Sequence, residues 1–231
     1  YLFVTGDLVE GVGIYPNQED DLTVNDIHGQ YKLFADFAKS LPSYINIIIC
    51  PGNHDASRIA EPQPKIDPYF AHELYEMENV FMVSSPSVVN IGATEEFSGF
   101  DVLMYHGYSF IYYADVVPYI REKGGQERID LVMKFLLQRR HLAPTHGSTL
   151  YIPETKEDPL VIATIPDFFI SGHIHRAVYS TYRNVSLINT STWVGMTDFQ
   201  EKLGLKPQPA KVIIANLKTR DMRLLNFEEK K

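Results

Sequence analysis

The sequence predicts an α/β protein in which short buried strands alternate with amphipathic helices. Apolar runs such as residues 45–50 are rich in β-branched side chains, which is typical of strands buried on both faces. Helical spacing of apolar residues separates the first two of these runs, and a strand–helix–strand order favours parallel pairing through a right-handed crossover. Hydrophobic residues form 45% of the chain and charged residues 22%, so we expect a sizeable core and no extensive disorder.

The strands are predicted from short apolar runs that end at turn residues. Residues 45–50 stop at Pro51-Gly52, because proline donates no N–H and glycine tolerates unusual dihedral angles. Two further pairs of runs flank short polar turns and are predicted to be hairpins. The predicted strands are residues 1–4, 45–50, 80–83, 88–91, 100–105 and 168–171, with hairpins at 178–182/185–188 and 212–217/222–227.

The helices are predicted from apolar residues at helical spacing. Thr23 is the candidate N-cap of the first helix, whose apolar face we expect to bury. The predicted helices are residues 23–40, 67–77, 109–123 and 128–140. The expected core faces are Ile27, Tyr31, Phe34, Phe37 and Ala38 in the first helix, and Ile129, Val132, Met133, Leu136 and Leu137 in the last.

The chain is expected to form one domain of 231 residues that lacks a preceding part. It begins at Tyr1 within an apolar run, so we expect the first strand, and a domain before it, to be missing. Neither a signal segment nor a long apolar span is evident, so an intracellular, non-membrane protein is expected. The single Cys50 excludes an internal disulfide and is expected to be core filler.

Ligand-type side chains follow four of the predicted strands. Each comes beside a glycine at a strand's carboxyl end, the edge at which α/β proteins usually place their chemistry. Alternation along an extended chain would put His173 and His175 on one side of the backbone. Taken alone, each histidine is more often structural, but their recurrence at strand ends favours a site. The candidate ligands are Asp7, Asn53 with His54, His106, and His173 with His175.

Mixed oxygen and nitrogen ligands of this kind suit Mn²⁺, Fe²⁺, Zn²⁺ or Co²⁺, and the scarcity of cysteine disfavours a structural zinc site. A carboxylate can bridge two ions, and ions about 3.5–4 Å apart stabilise both the attacking and the leaving oxygen in phosphoryl transfer. The formal net charge of −8 does not indicate a nucleic-acid binder. Two divalent ions would nevertheless add about four positive charges locally, so the global sign does not exclude an anionic substrate.

The basic run Arg139-Arg140-His141 has two interpretations. Cations at the end of a helix stabilise its macrodipole, and the same cations could contact a phosphate. The sequence does not decide between them. His28 and His72 are expected on helix surfaces, and His146 has no evident partner.

The strand-end motifs resemble the calcineurin-like metallophosphoesterase superfamily. Gly6-Asp7, Gly52-Asn53-His54-Asp55, His106 and Gly172-His173-Ile174-His175 follow its motif order. The resemblance implies a four-layer fold, with two packed mixed β-sheets flanked by helices, and two divalent metal ions, manganese first among them, with magnesium as a further alternative. It also implies that Asp7 bridges both ions.

By the same resemblance, Asn53, His106 and His173 hold one ion and His175 helps to hold the other. His54 would face the phosphate and protonate the leaving oxygen. The sequence departs from the pattern twice. An Asp-x-His motif is absent, and Glu10 replaces the aspartate that usually orients the catalytic histidine, so the resemblance implies that a longer side chain gives this support.

Within that superfamily, the sequence is most similar to the small subunits of archaeal family D DNA polymerases. The stretches that carry this resemblance are residues 5–21, 50–55, 139–144 and 189–193. It implies a 3′–5′ exonuclease, a preceding OB domain, a large catalytic subunit as partner, DNA as substrate and a cytoplasmic location at the replicating nucleoid. The alternatives are a non-catalytic structural subunit with a vestigial metal site and a stand-alone metallophosphoesterase.

Overall fold

The computed structural model describes residues 1–153, 156–197, 200–201 and 206–228. They fall into two compact units, each with its own core. Unit 1 comprises residues 1–87 with 150–152, and unit 2 comprises residues 88–149 with the described part of 153–231. Each unit combines a β-sheet with helices, which confirms the predicted α/β class.

Unit 1 contains a three-stranded parallel sheet in the order β1-β2-β3. The strands are β1 (Leu2–Thr5), β2 (Ile47–Cys50) and β3 (Val80–Met82). All four residues of the central strand β2 are buried, as its run of β-branched side chains predicts. The parallel pairing of β1 with β2 confirms the crossover that the strand–helix–strand order predicts.

The helices of unit 1 are α1 (Ile27–Ser40) and α2 (Pro68–Tyr75), with a short 3₁₀ turn at Gln18–Asp20. The predicted start of α1 at Thr23 is wrong, because the Asp26 side chain accepts a hydrogen bond from Gly29 N and caps the helix there. The prediction that Phe37 lies in the core is also wrong, since this residue is 52% exposed. The buried face of α1 instead runs through Tyr31, Ala35 and Ala38, with Gln30 beside it.

Unit 2 is built on a five-stranded mixed sheet in the order β4-β5-β6-β8-β7. Its neighbours β5, β6 and β8 are parallel, and β7 pairs with β8 as the predicted antiparallel hairpin. A second hairpin, β9 with β10, forms a two-stranded antiparallel sheet. The strands are β4 (Ser87–Ile91), β5 (Phe100–Tyr105), β6 (Phe168–Ser171), β7 (Val178–Tyr182), β8 (Val185–Asn189), β9 (Lys211–Ala215) and β10 (Met222–Asn226).

The helices of unit 2 are α3 (Phe110–Val116), α4 (Pro118–Glu122) and α5 (Ile129–Arg139), with a 3₁₀ turn at Gly125–Arg128. The single helix predicted at 109–123 is in fact two. Val117 is extended, as the residue before a proline tends to be, and Pro118 begins the second helix. All five residues predicted for the inner face of α5 are buried, which confirms its amphipathic pattern. Among the described residues, every helix is too short or too polar to cross a membrane.

Candidate functional site

The candidate ligands of unit 1 leave its sheet at one edge. β1 and β2 are parallel neighbours in which Thr5 lies opposite Cys50, so the residues after each strand emerge side by side. Asp7 follows β1, and Asn53 and His54 follow β2. The structure therefore brings together the two loops that follow these strands, residues 6–8 and 52–55, which we call the two corners of unit 1 and together its ligand corner.

Two aspartates fasten these corners to each other. The Asp7 carboxylate accepts a hydrogen bond from His54 N at 2.9 Å, while Asp55 accepts one from Asp7 N at 2.8 Å. Asp55 also accepts from the main-chain N–H groups of Gly52 at 2.8 Å and Leu8 at 3.3 Å. Each corner thus donates main-chain hydrogen bonds to an aspartate of the other, which fixes the position of Asp7 relative to His54.

Tyr31 completes the support of Asp55 from helix α1. Its hydroxyl donates to Asp55 Oδ1 at 3.0 Å and accepts from Ala56 N at 2.8 Å. Burial, and then the nearby Asp55 charge, raise the pKa of Tyr31, so the phenol keeps the proton that it donates. A residue that the sequence assigns only to the core face of α1 therefore also anchors the predicted ligand corner.

The corner concentrates negative charge away from solvent. Asp55 is 5% exposed, and burial followed by the Asp7 charge raises its pKa to about 7. Burial is also the main cause that raises the pKa of Glu10, with Asp7 adding to the effect and His54 opposing it. A cation nearby would stabilise the ionised form of both carboxylates, whose pKa is raised by burial and by the Asp7 charge.

His54 has a defined ring orientation. Its Nδ1 lies 2.8 Å from the main-chain carbonyl oxygen of Glu10. A carbonyl can only accept, so Nδ1 carries the proton and Nε2 is the atom left for proton exchange. The Glu10 backbone makes the hydrogen bond to this ring, in place of the longer Glu10 side chain that the resemblance implies.

Unit 2 brings His106 and His173 together in the same manner. The strands β5 and β6 pair with Tyr105 opposite Ser171, and Gly172 N donates to His106 O at 2.9 Å. The centroids of the two imidazole rings lie 5.0 Å apart. One ring nitrogen of His106 lies within 4.8 Å of one ring nitrogen of His173. His106 is 1% exposed. A buried histidine beside a second histidine at a sheet edge is an arrangement that can hold a transition-metal ion.

His173 and His175 do not lie on an extended chain. Their φ angles are 68° and 54°, so the alternation argument for a shared side is wrong. Asp7 likewise has a φ of 55°. Non-glycine residues in the left-handed region are uncommon and cluster at functional sites, where the surrounding structure holds them. Five described residues that are not predicted ligands share this backbone, so it does not by itself indicate function: Asn17, Arg140, Arg183, Ala210 and Arg220.

His175 is held by residues late in the chain. Its carbonyl accepts from Gln208 N at 2.8 Å, and Gln200 Nε2 lies 3.1 Å from its Nδ1. Tyr108 is a further neighbour of this region, with its ring centroid 5.5 Å from that of His173. No pattern in the sequence singles out Gln200 or Tyr108. Asp55 is part of the Gly-Asn-His-Asp motif, but the motif alone does not indicate what this residue does.

Two of the three residues in the basic run at the end of α5 form hydrogen bonds within the protein. Arg140 Nε donates to the carbonyl of Ile162 at 2.7 Å, and His141 Nε2 lies 2.9 Å from Asp158 Oδ2. Arg139 lies over the Phe135 ring. Cys50 is fully buried, as expected, and His72 and His146 are exposed. His28 is also exposed, but its ring stacks on Phe70.

A known protein family matches most of this chain. The family of DNA polymerase alpha/epsilon B subunits matches residues 16–179, which is more than half of the 231 residues. The chain therefore belongs to this family of polymerase subunits.

Curated relatives confirm the resemblance to archaeal polymerase small subunits. The DNA polymerase II small subunit of Methanocaldococcus jannaschii is 43% identical over 217 residues, which cover 94% of this chain and 35% of that protein. The DNA polymerase II small subunit of Methanothermobacter thermautotrophicus is 41% identical over 227 residues, which cover 98% of this chain and 45% of that protein. The chain thus spans less than half the length of these two relatives.

Similar solved structures share little sequence with the chain. An archaeal phosphodiesterase is 13% identical with a TM-score of 0.39, over 84% of this chain and 74% of that one. Vacuolar protein sorting 29 from Cryptosporidium parvum is 18% identical with a TM-score of 0.35, over 97% and 94%. These similarities are too low to carry an argument about function.

Proposed function

We propose that the chain is the phosphodiesterase domain of a DNA polymerase small subunit and acts as a metal-dependent 3′–5′ exonuclease that proofreads newly made DNA. We further propose that residues 1–231 belong to this one domain. One observation carries the proposal. His106 and His173 follow the neighbouring parallel strands β5 and β6, their ring centroids lie 5.0 Å apart, and His106 is buried, so two imidazoles that can hold a metal ion meet at one sheet edge.

The donor set fits divalent transition metals. We propose that two ions bind, manganese first among the candidates, with Asp7 bridging them, Asn53, His106 and His173 on one ion, and His175 on the other. Carboxylate and amide oxygens with imidazole nitrogens suit such ions, and these residues have no thiolate among them. When bound, the ions would supply positive charge for the phosphoryl oxygens and favour the ionisation of water.

His54 and Glu10 have proposed roles that need no ligation. With Nδ1–H donated to the Glu10 carbonyl, His54 Nε2 is the ring atom that can pass a proton to the leaving oxygen of the cleaved phosphodiester. Glu10 fixes the ring and its tautomer through the main chain. Asp55 and Tyr31 hold the loop on which His54 lies, so we assign them a positioning role.

The partner proposals follow from the family. We propose that the chain works with a large catalytic polymerase subunit, on the 3′ end of single-stranded or mismatched DNA, in the cytoplasm at the replicating nucleoid. The second candidate is a structural subunit with a vestigial site, because the curated relatives are named as subunits and not as nucleases. The stand-alone phosphoesterase is less favoured, since the family is one of polymerase subunits.

The two leading candidates are separated by assaying the full-length small subunit, alone and with its large subunit, on DNA with a mismatched 3′ end and Mn²⁺. We expect nucleotides to be released from the 3′ end and Asp7→Ala to abolish this release while polymerisation continues. If the wild-type subunit binds Mn²⁺ but leaves the DNA intact, the exonuclease proposal is wrong. Turnover of small phosphodiesters without any preference for DNA would favour a stand-alone enzyme.

A further inference from the structure

We propose that a groove in unit 2 binds an acidic peptide segment of another protein through one large apolar side chain and flanking carboxylates. The groove has a volume of about 620 Å³ and lies where β6 and β8 begin. We call it the basic groove. Its lining residues include Leu137, Arg140, Ile165, Asp167, Tyr182 and Arg183.

The basic groove is separate from the histidines of the same unit. His106 and His173 follow the carboxyl ends of β5 and β6, whereas Asp167 directly precedes β6. Because β6 has four residues at about 3.3 Å each, the two edges are roughly 13 Å apart along the strand. A ligand in the basic groove therefore need not touch His106 or His173.

Two arginines give the basic groove its positive charge. Arg140 donates to the main-chain carbonyls of Ile162, at 2.7 Å, and Ala163, and both acceptors are neutral. Arg183 lies over the Tyr182 ring, 5.5 Å from its centroid. Within the described ranges, neither arginine forms an ion pair with a carboxylate. Both charges thus remain available to a ligand, and a guanidinium binds a carboxylate well.

The surroundings strengthen this positive character. Lys134 Nζ lies 5.2 Å from the Tyr182 ring centroid. Asp167 is the acidic residue of the lining, and it already pairs with Arg220 at 3.3 Å. A patch of cations on a chain whose formal net charge is −8 is opposite in sign to the molecule, so it attracts acidic segments more strongly than the rest of the surface does.

The apolar part of the lining distinguishes a peptide from a nucleic acid. Ile165 is 63% exposed beside the buried Leu137 and Val185, so an apolar side chain from a partner would remove this surface from water. Tyr182 already carries Lys134 and Arg183 against its ring, which makes it a poor platform for stacking bases. A groove with apolar lining residues and nearby arginines therefore fits a peptide that carries both carboxylates and a large apolar side chain.

The test is to pan a phage-displayed random peptide library against the purified chain and to measure selected peptides by fluorescence anisotropy. We expect the enriched peptides to combine carboxylates with a large apolar residue. Arg183→Glu and Ile165→Asp should each weaken their binding by about tenfold or more. Both side chains are exposed, so neither change should alter the melting temperature markedly.

The matched control is Lys123→Glu, which makes the same charge reversal at an exposed residue outside the groove lining and should leave binding unchanged. A labelled oligothymidylate serves as the nucleic-acid arm. The proposal is overturned if no enriched peptide depends on Arg183 and Ile165, or if the oligothymidylate binds and the peptides do not. Because the readout is peptide binding, this result is independent of whether the chain hydrolyses DNA.

Discussion

At the scale of single residues, Asp55 is the side chain on which the ligand corner of unit 1 depends. It accepts main-chain hydrogen bonds from Gly52, Asp7 and Leu8, and a side-chain hydrogen bond from Tyr31. A side chain that joins the ends of two strands in this way couples the position of Asp7 to that of His54. The motif Gly-Asn-His-Asp therefore supplies both candidate functional groups and the aspartate that positions them.

The raised pKa of Asp55 makes stability depend on pH. In the metal-free protein its pKa is about 7, above the ordinary value of 3.8, so the folded state binds the proton more tightly than the unfolded state. This contribution to the free energy of unfolding is fully present below about pH 4 and is lost as the pH rises through about 7. Urea denaturation across this range should show the loss in the wild type and a flatter profile in Asp55→Asn. Equal slopes for the two proteins would contradict it.

Cys50 tests the core of unit 1 at the same scale. Burial, and then the Asp55 charge, raise the pKa of its thiol above the ordinary value. Since it is the single cysteine, a thiol reagent at about pH 8.5 should react with the unfolded chain and not with the native one. Rapid labelling of the native protein would contradict the burial of Cys50 in strand β2.

At the scale of elements, the start of helix α1 is a sharp difference between sequence pattern and structure. Both Thr23 and Asp26 are residue types that cap helices, and the apolar spacing alone does not choose between them. Asp26 does so through its bond from Gly29 N at 2.7 Å. The spacing of apolar residues therefore locates the start of α1 only to within several residues, and the hydrogen bond to Asp26 fixes it.

Removing each candidate cap tests this boundary. Asp26→Ala should lower the free energy of unfolding by about 1 kcal/mol, because it removes the acceptor for an unpaired helix N–H. Thr23→Ala is the matched change and should have little effect, since Thr23 lies outside the helix. Urea denaturation of the wild type and the two variants measures both free energies of unfolding. A larger loss of stability in Thr23→Ala would indicate that the helix begins at Thr23.

Strands and amphipathic faces were the parts of the fold that sequence could predict. The strand at residues 100–105, the strand at 168–171 and the inner face of α5 depend on hydrophobic periodicity, and each was found as predicted. The break at Val117 and the left-handed backbone of His173 and His175 depend on single dihedral angles. A hydrophobic pattern does not encode such angles, although Pro118 signals the break at Val117 because proline disfavours a helical backbone in the residue before it.

At the scale of the whole molecule, candidate ligands were easier to predict than the contacts that support them. Residue type and position after a strand suffice to nominate Asp7, Asn53 with His54, His106, and His173 with His175 as candidates, and only the family resemblance separates His54 from the proposed metal ligands. The contact of His54 with the Glu10 backbone, and the role of Tyr31, arise from packing between segments far apart in sequence. Family membership then directs the proposal towards DNA replication, although the curated relatives are more than twice as long as the segment they share with this chain.

The central claim is that His54 transfers a proton during phosphodiester hydrolysis and does not hold metal. The most direct measurement compares Mn²⁺ binding and single-turnover release of the 3′-terminal nucleotide in the wild type, in His54→Ala and in His72→Ala, an exposed control with 73% of its side chain accessible. His54→Ala should bind Mn²⁺ as the wild type does and release nucleotide about 10²–10⁴-fold more slowly. Loss of Mn²⁺ binding in His54→Ala, or an unchanged rate of release, would contradict this account.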